Sequence, residues 1–144
     1  MSPAARQLAA LLWLLTSLLV GFAWHAGTPL DAAALRPQLQ EAHSFAAETA
    51  QLAMLAAQGR MPAPVMERHA GLLLGHVRQA TRDLADSRVR DELRGHRDAA
   101  RPPLLAVERA LEQLQAGQPA NAVALGRVAS DLQVQVKALD RLAQ

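Results

Sequence analysis

The sequence predicts an all-α protein, with an amino-terminal single transmembrane helix followed by an antiparallel, up-down-up-down four-helix bundle. Three observations lead there. Leu and Ala, both strong helix formers, dominate the apolar residues, and no run alternates apolar and polar residues long enough to suggest a strand. Apolar residues instead recur at steps of three and four along successive segments, which Gly and Pro separate. Ahead of them stands "QLAALLWLLTSLLVGFAWHAG", Gln7 to Gly27, a stretch without a single charge.

That stretch is the expected membrane anchor. The uncharged span runs from Gln7 to Leu30, and Leu8 to Trp24 is strongly apolar almost throughout. A helix of about 20 residues, rising roughly 1.5 Å per residue, just crosses a hydrocarbon core of about 30 Å. Apolar regions of cleaved export signals are shorter, about 7 to 15 residues, and end at a small-x-small site. Gly21-Phe22-Ala23 meets that rule loosely, so cleavage before Trp24 is the competing expectation. Trp24 and His25 suit the far interface, where amphipathic rings settle. Arg6 and the α-amino group precede the span, whereas Asp31, Arg36 and Glu41 follow it, which favours a cytoplasmic amino end. The expectation is an inner (cytoplasmic) membrane protein, single-pass, meeting the lipid bilayer through residues 8–24. Residues 1–30 are then anchor or export signal, and residues 31–144 form a bundle domain in the periplasm or outside.

Residues 31–144 suffice for one compact domain. Aromatic residues make up only 3% of the chain and Tyr is absent, so the core must be built from Ala, Leu and Val. The first bundle helix is expected from Ala32 to Gln58, after the break at Gly27 and Pro29, with Asp31 as its cap. Leu35, Leu39, Ala42, Ala46, Thr49, Ala53 and Ala56 form its seam, a heptad built largely of alanine. Gly59 closes this helix, and Pro62 and Pro64 open the next. The second helix carries Met66, Ala70, Leu73, Val77, Ala80 and Leu84, and the pattern then slips to Val89 and Leu93. A break is expected near Asp86-Ser87, and "RPP" at Arg101 to Pro103 is expected to stop the helix. A shorter third helix uses Leu104, Val107, Leu111 and Leu114 and closes at Gly117. The fourth runs from near Pro119 almost to the end, through Leu125, Val128, Leu132, Val136, Leu139 and Leu142. Short connections favour antiparallel neighbours. The alternative architecture is a long helical hairpin that completes its core as a homodimer.

Charge and composition narrow the functional classes. Fifteen basic residues, all but Lys137 arginine, oppose thirteen acidic ones for a net charge of +2. The two signs interleave through "RQATRDLADSRVRDELRGHRDAAR", with neither a one-sided basic stripe nor aromatic stacking residues, which argues against nucleic-acid binding. Absence of cysteine excludes disulfides, thiolate metal sites, a Cys nucleophile and haem attached through C-x-x-C-H.

The most suggestive chemical run is "MLAAQGRMPAPVMERH". It gathers Met54, Met61, Met66 and His69 around one hairpin turn, and thioethers with imidazole are soft ligands that suit Cu(I). Met is also a flexible filler of helix cores, and Met66 stands in the seam. His69 and His76 are two turns apart, about 10 Å along the axis, too far to share a metal unaided. His43 and His96 lack companions. Asp91-Glu92 is the one adjacent carboxylate pair, and it lies in an Arg-rich surface rather than in a catalytic dyad. Ser44, Ser87 and Ser130 have no neighbouring His and no nucleophile-elbow pattern. "GLLLG", Gly71 to Gly75, marks close contact with a neighbouring helix, and Leu74 is expected off the seam, exposed, and free to touch another protein.

The outline is similar to the exported four-helix bundles of bacterial receptors and to cytochrome c′-like bundles. It departs from the second in lacking the haem motif and from the first in lacking a signalling module. The likeness is architectural and carries no residue roles. The resulting expectation is a non-catalytic protein without a cofactor, an accessory or interaction subunit of a bacterial-type cell envelope complex, with a protein partner. The alternative is a periplasmic copper-binding or metal-sensing bundle using the Met and His hairpin.

Overall fold

The computed structural model describes residues 31–144, which form four α-helices and one short 3-10 turn and contain no strand among the described residues. The expected transmembrane helix, residues 1–30, lies outside the described residues. No described helix is long and apolar enough to cross a membrane.

Helix α1 spans Ala32–Ala57, and the Asp31 side chain accepts a hydrogen bond from the Ala34 amide at 3.0 Å, satisfying one of the free donors of the first turn. Its other end closes on Gly59, whose φ of 66° is a left-handed conformation that glycine adopts without Cβ strain. There the Gly59 amide donates to Ala56 O and the Arg60 amide to Leu55 O, the paired bonds of a Schellman ending. Helix α3 ends the same way at Gly117, with the Gln118 amide reaching back to Gln113 O at 2.8 Å.

Helix α2 spans Ala63–Asp86 and opens on prolines, which suit a first turn whose amides would be unpaired in any case. It stops at Ser87, as the slip in its apolar pattern predicts. Beyond it the sequence expectation fails. Helix α3 runs Arg94–Gln115, straight through Pro102 and Pro103, so the "RPP" run is interior to a helix rather than its end. The prolines leave the carbonyls of Asp98 and Ala99 without their usual donors, but both residues are exposed, so water can replace the missing bonds. Tertiary burial offsets the remaining cost, about 3 kcal/mol for an interior proline. Ala100, Pro103, Leu104 and Val107 are all buried in sequence, and interrupting the helix would scatter that face. Its start is instead set by the turn Asp91–Leu93, whose acids lie at the favourable, positive end of the helix dipole. Helix α4 spans Ala122–Ala143 and is capped by Asn121, which accepts from the Ala124 amide at 2.8 Å.

Side chains bridging the helices show how they run. Arg36 at the start of α1 bonds the backbone oxygen of Ala143 at the end of α4. Glu48 of α1 meets His69 of α2, and Arg78 of α2 meets Glu112 of α3. Phe45 meets His76 where Glu48 meets His69, and Gly71 lies by Gln115 where Arg78 meets Glu112, so numbers rise on one helix as they fall on the next and these neighbours are antiparallel. The most extensive interface is α1 with α4, followed by α2 with α3. One cluster of buried Leu, Ala, Val and Met from all four helices makes the core within a single chain. Thr49 is its buried polar residue, and its hydroxyl donates to Phe45 O at 2.7 Å on its own helix.

Candidate functional site

The packing of α1 on α2 gives the four Met and His candidates different surroundings. Met66 is sealed in the core at 4% exposure, whereas Met54, one turn before the end of α1, is 41% exposed. Met61 is half-buried against the core from the connecting loop. His69 points Nε2 at Glu48 Oε1, 2.9 Å away, which ties α1 to α2 through a half-exposed pair. Of the four candidates, one is therefore core, one covers the loop, one faces solvent and one is held by a carboxylate. Among the described residues no three His, Asp or Glu side chains are grouped to hold a metal ion.

The remaining polar candidates are engaged locally. His76 stacks on Phe45 with ring centroids 5.6 Å apart and planes 15° from parallel, a second α1–α2 contact beside the His69 pair. The hydroxyls of Ser44 and Ser130 donate to the carbonyls of Gln40 and Gly126, four residues back, and that of Ser87 to Leu84 O. Each serine serves its own helix. Asp91 pairs with Arg94 at 2.7 Å with both side chains well exposed. Such a solvated pair contributes little energy.

Leu74 requires a correction. It is buried at 4% exposure, and the exposed member of the run is Leu72 at 62%. A helix that contacts α3 on one side and α1 on the other buries a wider stripe than one heptad seam, so Leu73 and Leu74 both face inward. The two glycines of the run differ as well. A Cβ on Gly71 would lie 3.2 Å from the Gln115 side chain, whereas one on Gly75 would meet open space. Close helix approach therefore accounts for the first glycine only.

A feature absent from the sequence reading lies where α1 begins and α4 ends. An open groove of about 470 Å³ is walled by Ala33, Leu35 and Leu39 of α1, by Leu93 before α3, and by Leu142 and Ala143 of α4. Two lining side chains are ionisable, Arg36 and His96, and no carboxylate side chain joins them. Arg36 is oriented by the end of α4, with Nε donating to Ala143 O at 3.1 Å and Nη2 to the backbone oxygen of Gln144. The signal for it was local but ambiguous. Ala32 and Ala33 put small residues at the first turn of α1, but which helix faces them is set by the packing and not by the local sequence. No protein-family model matches this chain, nor does any curated protein or solved structure.

Proposed function

We propose that this chain is a membrane-anchored, exported helical bundle that acts without catalysis as an accessory or interaction subunit of a cell-envelope complex. The observation that supports the reading is the uncharged apolar run Gln7 to Leu30 joined directly to a four-helix domain. The run is long enough to span a bilayer and no other part of the chain resembles it. In support of a binding rather than a chemical role, His69 and His76 tie α1 to α2, the three serines bond carbonyls of their own helices, and Asp91 pairs with Arg94 at the surface. Leu72 and Val134, at 62% exposure each, are large apolar side chains left on the outside that a protein partner could cover.

The anchor and its orientation are tested together. With a phosphatase reporter that works only outside the cytoplasm joined after Gln144, the full chain should be active and should stay in the membrane pellet through carbonate washing. A soluble mature form beginning at Trp24 would replace the anchor by a cleaved signal, and an inactive reporter would reverse the orientation. Photo-crosslinking from Leu72 or Val134 in intact cells should then trap one discrete protein product. Absence of any product from either position would remove the interaction role.

A further inference from the structure

We propose that residues 87–101 are a latch that opens as one unit while the rest of the bundle stays folded, with Pro102 and Pro103 as its hinge. The latch comprises the connection after α2, the turn Asp91–Leu93 and the first two turns of α3. It is independent of the anchor reading. Three observations carry it.

The first is the backbone. In a continuous helix the amides of residues 102–105 bond the carbonyls of residues 98–101 and so tie one turn to the next. Pro102 and Pro103 have no amide hydrogen, so the bonds to Asp98 O and Ala99 O are missing and Leu104 and Leu105 alone carry that tie. The other end of the latch is not fastened either. Neither the turn Asp91–Leu93 nor α3 begins with a side-chain cap.

The second is burial. Within residues 87–101 only Val89 and Ala100 are buried, and both are small. Beyond the hinge the same helix buries Leu104, Val107, Leu111 and Leu114. Apolar burial stabilises in proportion to its area, so the latch is held far less tightly than the helix it continues into. Its contact with α2 is also incompletely filled. A cleft of about 80 Å³ separates Ala85 from Arg97, Asp98 and Arg101. Leu84 and Leu104 line the same cleft, and opening bares both at the end of the bundle where α1 begins, an apolar surface that the closed form hides.

The third is the pattern of polar contacts, which close within the latch. Arg97 donates to Ser87 O at 3.2 Å and pairs with Asp98 at 2.8 Å, Arg94 pairs with Asp91 at 2.7 Å, and the Leu93 amide donates to Arg90 O at 2.9 Å. All of them survive when the segment swings as a body. Among the described residues the side-chain bond that leads out of it is from the Ser87 hydroxyl to Leu84 O, at the pivot where the chain leaves α2. Few buried apolar contacts and internally completed bonds are the properties of a unit that opens well below the global stability.

The chain has no cysteine, so a single introduced thiol reports its own surroundings. In the full chain in mild detergent, Ala100→Cys should react with a maleimide through the opening, whereas Val107→Cys, buried beyond the hinge, should react only through global unfolding. The first reaction should be faster by about a hundredfold or more. Pro102→Ala restores a donor for Asp98 O at an exposed position, and should slow the Ala100→Cys reaction by about tenfold. Hydrogen exchange of the unsubstituted chain reads the same opening without a thiol. There the amides of residues 97–101 should share one rate, well above that of residues 104–114. Equal rates for the two thiols overturn the latch. Protection that falls gradually from residue 101 to residue 94 is fraying of a helix end and also overturns it, as does an unchanged thiol rate in a folded Pro102→Ala variant.

Discussion

The buried residues of α1 include Ala42, Ala46, Ala50 and Ala53, whereas those of α3 are led by Leu104, Val107, Leu111 and Leu114, all with no exposed surface. The alanine-rich helix makes the bundle's most extensive interface, with α4, because small side chains let helix axes approach and bring more residues within reach. The leucine-rich helix packs on α2 through fewer, larger groups. The pairs differ also at their ends. Helices α1 and α4 carry side-chain caps, Asp31 and Asn121, while α2 and α3 begin at Pro62 and Leu93 with none. One pair is defined by local sequence chemistry and close backbone contact, the other by the burial of large side chains. Apolar area stabilises in proportion to its size, so energy and contact are unevenly shared between the pairs.

Substitutions should expose that division. Leu111→Ala deletes a large, fully buried side chain of α3, and should cost about 2 to 5 kcal/mol in urea unfolding followed by circular dichroism. A loss below about 1 kcal/mol would mean that the pair does not depend on large buried groups. Ala46→Leu makes the reverse change in volume in the alanine seam, where Ala46 has no exposed surface. Overpacking should cost about 1 to 3 kcal/mol, and a stabilised variant would show that the α1 seam is loosely rather than closely packed.

The caps come next in size. Asp31→Ala should lower stability by about 1 kcal/mol, with the loss seen as faster amide exchange in the first turn of α1. An equal effect on exchange at the start of α2 would argue that capping there is shared rather than local. Smallest is the rim of the leucine-rich pair. Arg78 and Glu112 meet at 2.5 Å but both side chains are about half exposed, so Glu112→Gln should change stability by about 0.5 kcal/mol or less, diminishing further with added salt. A larger, salt-independent loss would move part of that pair's stability from its leucines to its charges.

The same division explains which elements could be read without coordinates. Asp31 and the Gly59 ending gave the bounds of α1 to within a residue, and the seams of α2 and α4 fall on buried or half-buried positions. These signals act over four to seven residues, through caps, left-handed glycines and helical periodicity. The start of α3 had no such signal. Arg101 to Pro103 carries a strong local stop, and only the joint burial of Ala100, Pro103 and Leu104 against the other helices outweighs it. Propensity is a local quantity of a few kcal/mol, and a buried face summed over several residues exceeds it.

The candidate sites divide likewise. That Met54, Met61, Met66 and His69 cluster around one turn was legible in sequence, but which of them face the core was not, because it depends on how α1 and α2 rotate about their axes. Leu74 was misplaced for the same reason, since a single seam ignores the second neighbour of α2. The groove beside Ala33 and Arg36 is walled by the first turns of α1 and the last turn of α4, a meeting of residues more than a hundred positions apart. Sequence alone determined the helical class, the long uncharged run at the amino end, the caps and the turns, since each follows from chemistry within one helix turn or one apolar stretch. Tertiary structure alone decided the continuity of α3, the burial of Leu74, the engagement of His69 by Glu48 and the groove, because each is set by side chains distant in the chain competing for the same space.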